Sequence, residues 1–197
     1  LLARTRSGLA LCAALVLIAC GGGGDAAAPG GGTTTTPPIG GINGGGIARG
    51  TITGFGSIFV NGVEFSTSTA AITIEGSSGG ESALRIGQVV LVQGTISDDG
   101  RTGTARTVAY NDDVEGPVTS VNGTANTVVV LGQTVRVTGT TAFDGGISPA
   151  SILGLAAGNV VEVSGLPDST GVIVASRVER RTAAGELELS GRVAGLD

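Results

Sequence analysis

The stretch that decides the fold is LRIGQVVLVQGTISDDGRTGTARTVAY, residues 84–110. Most of it returns further along the chain as LAAGNVVEVSGLPDSTGVIVASRVER, residues 155–180, with its glycines and paired valines at a constant spacing. A pattern that returns at a fixed period is the sequence signature of structural repeats. The chain therefore holds two copies of one unit, each about 65–70 residues long.

Each copy consists of short predicted strands. Runs of Val, Ile, Thr and Phe alternate with polar residues and are interrupted by glycine, which is typical of half-buried strands. Asn61-Gly62 supplies two residues suited to positive φ and predicts a type I′ hairpin turn. Asp98–Gly100 predicts a second, polar turn. Gly94 and Gly165 fall inside predicted strands, where a small barrel needs a bend or a bulge.

The arrangement of these elements predicts the fold class. In the second copy, SPASILGLAAGN predicts a short helical turn with Ser148 as its cap, Pro149 at its first position and Gly158 at its C-terminal end. Five or so strands with one helical turn are the layout of an OB-like barrel. We therefore expect an all-β protein of tandem small OB-like β-barrels, with β-sandwich repeats as the alternative. The predicted bounds are residues 47–114 for the first repeat, 115–183 for the second and 184–197 for the start of a third.

The N-terminal residues read as an export signal. Arg4 and Arg6 precede an apolar run that is shorter than the ~20 residues needed to span a bilayer. The run ends in Leu17-Ile18-Ala19-Cys20, which resembles the bacterial lipobox. The resemblance implies that residues 1–19 are a lipoprotein signal peptide and that Cys20 becomes the lipidated first residue of the mature chain. Two or three acyl chains together anchor a protein stably, because each buried CH₂ contributes ~0.8 kcal/mol.

A low-complexity segment follows the cysteine. Residues 20–46 are rich in Gly, Thr and Pro and lack a periodic apolar face, so we expect a disordered, flexible linker. In lipoproteins of bacteria with two membranes, an Asp after the cysteine marks retention in the inner membrane. Gly21 therefore implies the outer membrane, with the protein facing the periplasm or the cell surface. Cys12 lies inside the signal, so the mature chain has no thiol free to pair.

Three strings in the repeats carry a family resemblance. GTITGFGSIFVNGVEF, LRIGQVVLVQG and VVVLGQTVRVTG resemble a family of bacterial envelope lipoproteins built from tandem domains of unknown function. The resemblance covers residues 46–181, and a glycine-tethered lipobox belongs to the same pattern. It implies a tandem, OB-like, all-β module in the periplasm or at the cell surface. It supplies no catalytic residues.

Composition excludes several function classes. The sequence has no His and no Lys, and from Cys20 onward its nine arginines and sixteen acidic residues give a net charge of −7. Without a basic surface, nucleic acid is excluded as a partner. Without His, Lys or a free thiol, the commonest nucleophiles, bases and metal ligands are missing. We therefore expect no enzyme within residues 1–197 and no cofactor.

An acidic group is the sharpest polar feature of the repeats. Its members are Asp98, Asp99, Asp112, Asp113 and Glu115. Carboxylates ligate hard cations, but this spacing fits no EF-hand loop. Acidic residues commonly solvate hairpin turns, and the sequence predicts that role here, with no metal site.

Aromatic residues mark the predicted ligand face. Phe55 lies in a glycine loop and is expected to be exposed, whereas Phe59 and Phe65 are expected in the core and Tyr110 against the next repeat. The hairpin loops at residues 54–57 and 98–101 then frame the open side of the barrel. The sequence predicts ligand-binding roles there for Phe55, Asp98, Asp99 and Arg101.

The predicted function is a non-catalytic binding or scaffolding module at the bacterial cell envelope. Its expected partners are the membrane, through the lipid anchor, and an unidentified envelope protein or glycan. One alternative is a structural stalk that displays a further C-terminal domain. Another is the non-catalytic part of a larger envelope enzyme.

Overall fold

The computed structural model describes residues 41–43, 46–144, 146–182 and 187–190. These residues form an all-β protein with two short 3-10 turns. The first repeat contains β1 (Gly41–Asn43), β2 (Ile47–Gly54), β3 (Ile58–Val60), β4 (Val63–Ser66), β5 (Ala71–Ile74), β6 (Ser77–Gly79), β7 (Val89–Ile96) and β8 (Thr102–Tyr110). The second contains β9 (Val114–Asn122), β10 (Thr127–Val130), β11 (Gln133–Arg136), β12 (Ala142–Phe143), β13 (Val160–Pro167) and β14 (Ile173–Arg181), and β15 (Glu188–Leu189) follows it.

Each repeat closes five of its strands into a small barrel. The ring of the first repeat runs β2-β3-β4-β8-β7 and returns to β2, and that of the second runs β9-β10-β11-β14-β13 and returns to β9. In each ring one pair is parallel, with Glu64 opposite Thr102 in the first and Val135 opposite Ile173 in the second. The predicted all-β class and tandem OB-like barrels are confirmed, and closure excludes the β-sandwich alternative.

The interior of each barrel is a separate hydrophobic core. Inward-facing residues alternate with outward-facing ones along the strands, as in β3 and β4. Ile52, Phe65 and Val92 belong to the first core, and Val128 and Val163 to the second. Phe65 is fully buried as predicted, whereas Phe59 is only half-buried on the outer face.

The tight hairpin turns have the same geometry in both repeats. Asn61 and Gly62 have φ of 53° and 80°, as the predicted type I′ turn requires. Leu131 and Gly132 occupy the equivalent turn with φ of 48° and 79°. The side chain of Asn61 lies over Gly50, and a Cβ on that glycine would collide with it. The turn residue therefore fixes the hairpin against the first strand of its barrel.

Gly94 and Gly165 lie at β-bulges, which confirms the predicted irregularities. The register between β7 and β8 shifts at Gly94, and that between β13 and β14 shifts at Gly165. A Cβ at Gly94 would collide with the carbonyl oxygen of Thr104 on the neighbouring strand. Only glycine fits this close approach of two backbones.

The helical turns differ from the prediction. They are 3-10 turns at Glu81–Ala83 and Ile152–Gly154. Ser151 caps the second of them by accepting a hydrogen bond from the N–H of Leu153, so the prediction of Ser148 as the cap was wrong. The capping serine is the one whose side chain reaches the first free N–H groups of the turn.

The predicted flexible linker also differs at its C-terminal end. Gly41–Asn43 forms β1, which pairs antiparallel with β2. Main-chain hydrogen bonds hold such a strand without an apolar side-chain pattern, so the composition did not reveal it. Cys20 and the predicted signal peptide lie outside the described residues. Of the predicted third copy, residues 187–190 are described, and β15 pairs with β9.

None of the helices among the described residues is long or apolar enough to cross a bilayer.

Candidate functional site

The predicted ligand face lies on the β3–β4 hairpin of the first barrel. The turn at residues 55–57 leads into β3, and the loop at residues 97–101 lies against β4, where the N–H of Glu64 donates to the carbonyl oxygen of Arg101 at 2.9 Å. The two loops therefore flank the hairpin. This is the face with which OB barrels bind oligonucleotides and oligosaccharides.

An aromatic ring and a cation lie at the two sides of this face. Phe55 is 41% exposed, as predicted, and Arg101 is also exposed. Phe59 lies between them on the outer side of β3, with its ring over Gly54. An exposed ring stacks on a flat apolar surface, and a guanidinium donates to oxygen acceptors. The structure thus places Phe55 and Arg101 in the two loops that flank the β3–β4 hairpin.

One acidic residue of this loop, Asp99, stabilises the turn. Asp99 accepts a hydrogen bond from the N–H of Arg101 at 2.8 Å, and Asp98 is exposed at the tip. In the second barrel, Asp168 accepts hydrogen bonds from the hydroxyl and N–H groups of Thr170. These bonds, with that from Arg136, lower the pKa of Asp168 to about 2. Carboxylates in both loops act as predicted for hairpin turns.

The predicted acidic group is divided between two places. Asp98 and Asp99 lie in the loop between β7 and β8, whereas Asp112 and Asp113 follow the opposite end of β8. A strand of this length separates its ends by about 30 Å, at ~3.3 Å per residue. The five carboxylates therefore cannot form one site, and Asp98 and Asp99 are the two that lie apart.

The second carboxylate region lies at the junction between the barrels. The sequence analysis named Asp112 and Asp113 but did not predict that they lie at this junction. Polar contacts that are buried or partly buried connect the two repeats there. The hydroxyl of Tyr110 donates to Glu162, the N–H of Val89 donates to Ser164 Oγ at 2.7 Å, and the hydroxyl of Ser176 donates to the carbonyl oxygen of Gly87 at 2.5 Å. The prediction that Tyr110 packs against the next repeat is confirmed.

Asp113 is a buried carboxylate whose hydrogen bonds are satisfied. Its two oxygens accept from Arg49 at 3.2 Å and from the N–H of Gly165 at 2.8 Å. Burial raises its pKa, and the bonds from Gly165 and Arg49 oppose that rise. Asp113 therefore links the first strand of barrel one to the bulge of β13 in barrel two.

Four glutamates lie opposite one another across four neighbouring strands. This glutamate row consists of Glu179 on β14, Glu162 on β13, Glu115 on β9 and Glu188 on β15. Directly opposed like charges destabilise a sheet unless a cation offsets them. Arg181 forms ion pairs with the first three members of the row. The register between strands creates the row, so the sequence alone could not have shown it.

Beside the row lies a carboxylate triad of Glu75, Asp112 and Glu188. One oxygen from each residue lies within 4.8 Å of the other two. The N–H of Asp112 donates to Glu75 Oε1 at 3.0 Å. Burial, and then the neighbouring carboxylates Glu75 and Glu188, raise the pKa of Asp112 to about 8. Burial is also the largest cause of the raised pKa of Glu75.

Comparison with known proteins identifies a family for both repeats. The family model described as Domain of unknown function (DUF5666) matches residues 49–109 and again residues 115–179. Each matched segment corresponds to one of the two barrels. No curated protein and no solved structure matches the chain.

Proposed function

The chain belongs to the family described as Domain of unknown function (DUF5666), in two tandem copies, and we propose that it is a lipid-anchored, non-catalytic binding module of the bacterial cell envelope. The proposed ligand face is the outer side of the β3–β4 hairpin of the first barrel, framed by Phe55 and Arg101. Its ligand is an envelope protein or glycan.

The placement of Phe55 is the observation that carries the binding role. A large apolar ring that is 41% exposed gains by stacking on a partner. The second barrel has no aromatic residue in the corresponding turn, where its residues 123–126 read GTAN. The first barrel is therefore the binding copy, and the second supports it through the junction.

The proposed location is based on the sequence. The lipobox ending at Cys20 provides an anchor, and the glycine-rich segment after it gives the barrels reach from the membrane. Confining a module to the membrane surface raises its effective concentration for partners in the same layer.

A non-catalytic role agrees with the side chains on the proposed face. Phe55, Phe59, Glu64 and Arg101 offer stacking and polar contacts. In the loop beside them, Asp99 is engaged by the N–H of Arg101. The face is therefore suited to holding a ligand.

Photo-crosslinking in the producing bacterium tests the proposal. Phe55 is replaced by photoreactive benzoylphenylalanine, and Leu153, which is 74% exposed on the second barrel, is replaced in the same way as the matched control. We expect an adduct from position 55 that is absent from position 153 and weakens in the Arg101→Ala background. Digestion of the adduct by protease or by glycan hydrolases identifies the ligand class. Equal adducts from both positions, or none from position 55, would contradict the proposed face.

A further inference from the structure

We propose that the junction between the two barrels is a binding site for a divalent cation of the calcium type, held by Glu75, Asp112 and Glu188. This site is separate from the ligand face of the first barrel. The sequence analysis predicted no metal site. Glu75, Asp112 and Glu188 are far apart along the chain and come together only in the fold.

The spacing of the carboxylate oxygens suits a large cation. The ligand atoms of Glu75, Asp112 and Glu188 lie within 4.8 Å of one another. Ca²⁺ binds oxygens at about 2.3–2.6 Å, so two oxygens on opposite sides of one ion lie up to ~5 Å apart. The triad can therefore contact a single ion.

Asp112 is the group that points to a ligand. Asp112 is 2% exposed, and neither of its carboxylate oxygens accepts a hydrogen bond from any described residue. The two other buried carboxylates, Asp113 and Glu162, both have hydrogen-bond donors. Burying a carboxylate without a partner is costly. A cation beside the oxygens of Asp112 removes that cost.

The charges around the triad lead to the same conclusion. Arg181 pairs with Glu115, Glu162 and Glu179, while no described arginine forms an ion pair with Glu75, Asp112 or Glu188. The triad therefore places three carboxylates without an ion pair beside a row of glutamates whose cations are Arg181 and, at Glu179, Arg177. A bound divalent ion offsets two of the three negative charges that the ionised triad carries.

The donor set selects the kind of metal. All three ligands are carboxylates, which suit hard cations such as Ca²⁺, whereas Zn²⁺ favours His and Cys. Glu75 and Glu188 are exposed, so water has access to complete the six to eight ligands that Ca²⁺ takes.

The ion would connect three segments of the chain. Glu75 is in the turn between β5 and β6, Asp112 is in the connection between the barrels, and Glu188 is on β15. Binding one ion to all three holds β15 and the connection against the first barrel. The cation is therefore expected to stabilise the junction.

Terbium luminescence tests the site directly. Tb³⁺ replaces Ca²⁺ at oxygen sites and emits when a nearby aromatic side chain is excited. Tyr110 is the single tyrosine of a sequence that has no Trp, and it lies two residues from Asp112. We expect tyrosine-sensitised Tb³⁺ emission from the whole purified chain, saturating at one ion per chain and displaced by added CaCl₂.

Variants separate this site from adventitious binding. Asp112→Asn and Glu188→Gln are expected to lose most of the emission, and Asp144→Asn, which removes the same charge outside the triad, is expected to retain it. Glu188 is exposed on a two-residue strand, so its variant remains informative even if Asp112→Asn fails to fold. CaCl₂ should raise the thermal unfolding midpoint of wild type, relative to EDTA, and leave that of Glu188→Gln unchanged. No emission from wild type, or equal emission from all variants, would overturn the proposal.

Discussion

At the scale of single residues, Asp168 and Asp112 differ in the hydrogen bonds that their carboxylates accept. Asp168 is partly buried and accepts hydrogen bonds from Thr170, Val172 and Arg136, whereas Asp112 is buried and accepts none from the described residues. The pKa of Asp168 is lowered to about 2, and that of Asp112 is raised to about 8. Hydrogen bonds to a charged carboxylate favour its ionisation, and desolvation opposes it.

Asp168 should give the second barrel an acid-sensitive loop. Its folded pKa lies below its ordinary value of 3.8, so the ionised form is favoured in the folded state. The stability that it adds is present above about pH 4 and is lost as the pH falls toward about 2. Asp168→Asn is expected to lower the urea midpoint at pH 6, with the difference from wild type shrinking at pH 2.

Asp98→Asn is the matched control for this prediction. It removes the same charge from the corresponding loop of the first barrel, where Asp98 makes no side-chain hydrogen bond with any described residue. Its urea midpoint should stay close to that of wild type at both pH values. A constant difference between Asp168→Asn and wild type from pH 6 to pH 2 would show that the carboxylate charge plays no part.

The sequence predicted the environment of a residue where that environment depends on its neighbours in the chain. The exposure of Phe55 follows from its glycine loop, and the contact of Tyr110 with the next repeat follows from its place at the end of a strand. The environment of Asp112 could not be predicted in this way. It depends on Glu75 and Glu188, which lie 37 residues before and 76 residues after it and reach it only through strand pairing.

At the scale of elements, the long hairpin of each barrel depends on its bulge. Gly94 and Gly165 shift the register of the strand pair and leave no room for a side chain. A bulge bends a strand and increases its twist, which lets five short strands close into a ring.

Gly94→Ala is therefore expected to destabilise the protein strongly. The added Cβ would collide with backbone atoms of Thr104 and Ala105, which cannot move without breaking the pairing of β7 and β8. The expected loss is at the upper end of the ~1–3 kcal/mol that overpacking costs. Gly80→Ala is the control, because a Cβ there meets only Ser82 Oγ at 3.9 Å. Urea denaturation followed by circular dichroism measures both, and equal stabilities would contradict the account of the bulge.

Elements with strong side-chain patterns were predicted, and those held by the main chain were missed. The period-two alternation and the Asn61-Gly62 turn predicted the β3–β4 hairpin, and the repeat pattern predicted that the second barrel copies the first. β1 and β15 have no such pattern and pair through backbone hydrogen bonds at β2 and β9. The capping of Ile152–Gly154 depended on which serine reaches a free N–H, and composition did not distinguish Ser148 from Ser151.

At the scale of the whole molecule, the polar junction joins the two barrels. Tyr110 and Val89 of the first repeat contact Glu162 and Ser164 of the second, and Asp113 in the connection accepts hydrogen bonds from Arg49 and Gly165. Small repeats bury little surface alone, so contacts between neighbours add to the stability of both. The two barrels are therefore expected to unfold together.

Ser164→Ala tests this coupling. The substitution leaves the buried N–H of Val89 without its acceptor, at a cost of about 1–3 kcal/mol. Tyr110 fluorescence reports the junction, and circular dichroism reports both barrels. We expect the two denaturation curves to coincide in wild type and to shift together in the variant. Ser120→Ala, an exposed control on β9, should leave both curves in place. Loss of the tyrosine signal before the barrels unfold would contradict the coupling.

The proposed function at the cell envelope depends on the lipid anchor. Incorporation of labelled palmitate in a bacterial host tests for this anchor most directly. The two cysteines of the sequence provide a matched pair of variants. Wild type and Cys12→Ala are expected to take up the label and to fractionate with membranes. Cys20→Ala is expected to take up none and to remain unprocessed. Label retained in Cys20→Ala, or absent from wild type, would contradict the assignment of the chain to the envelope.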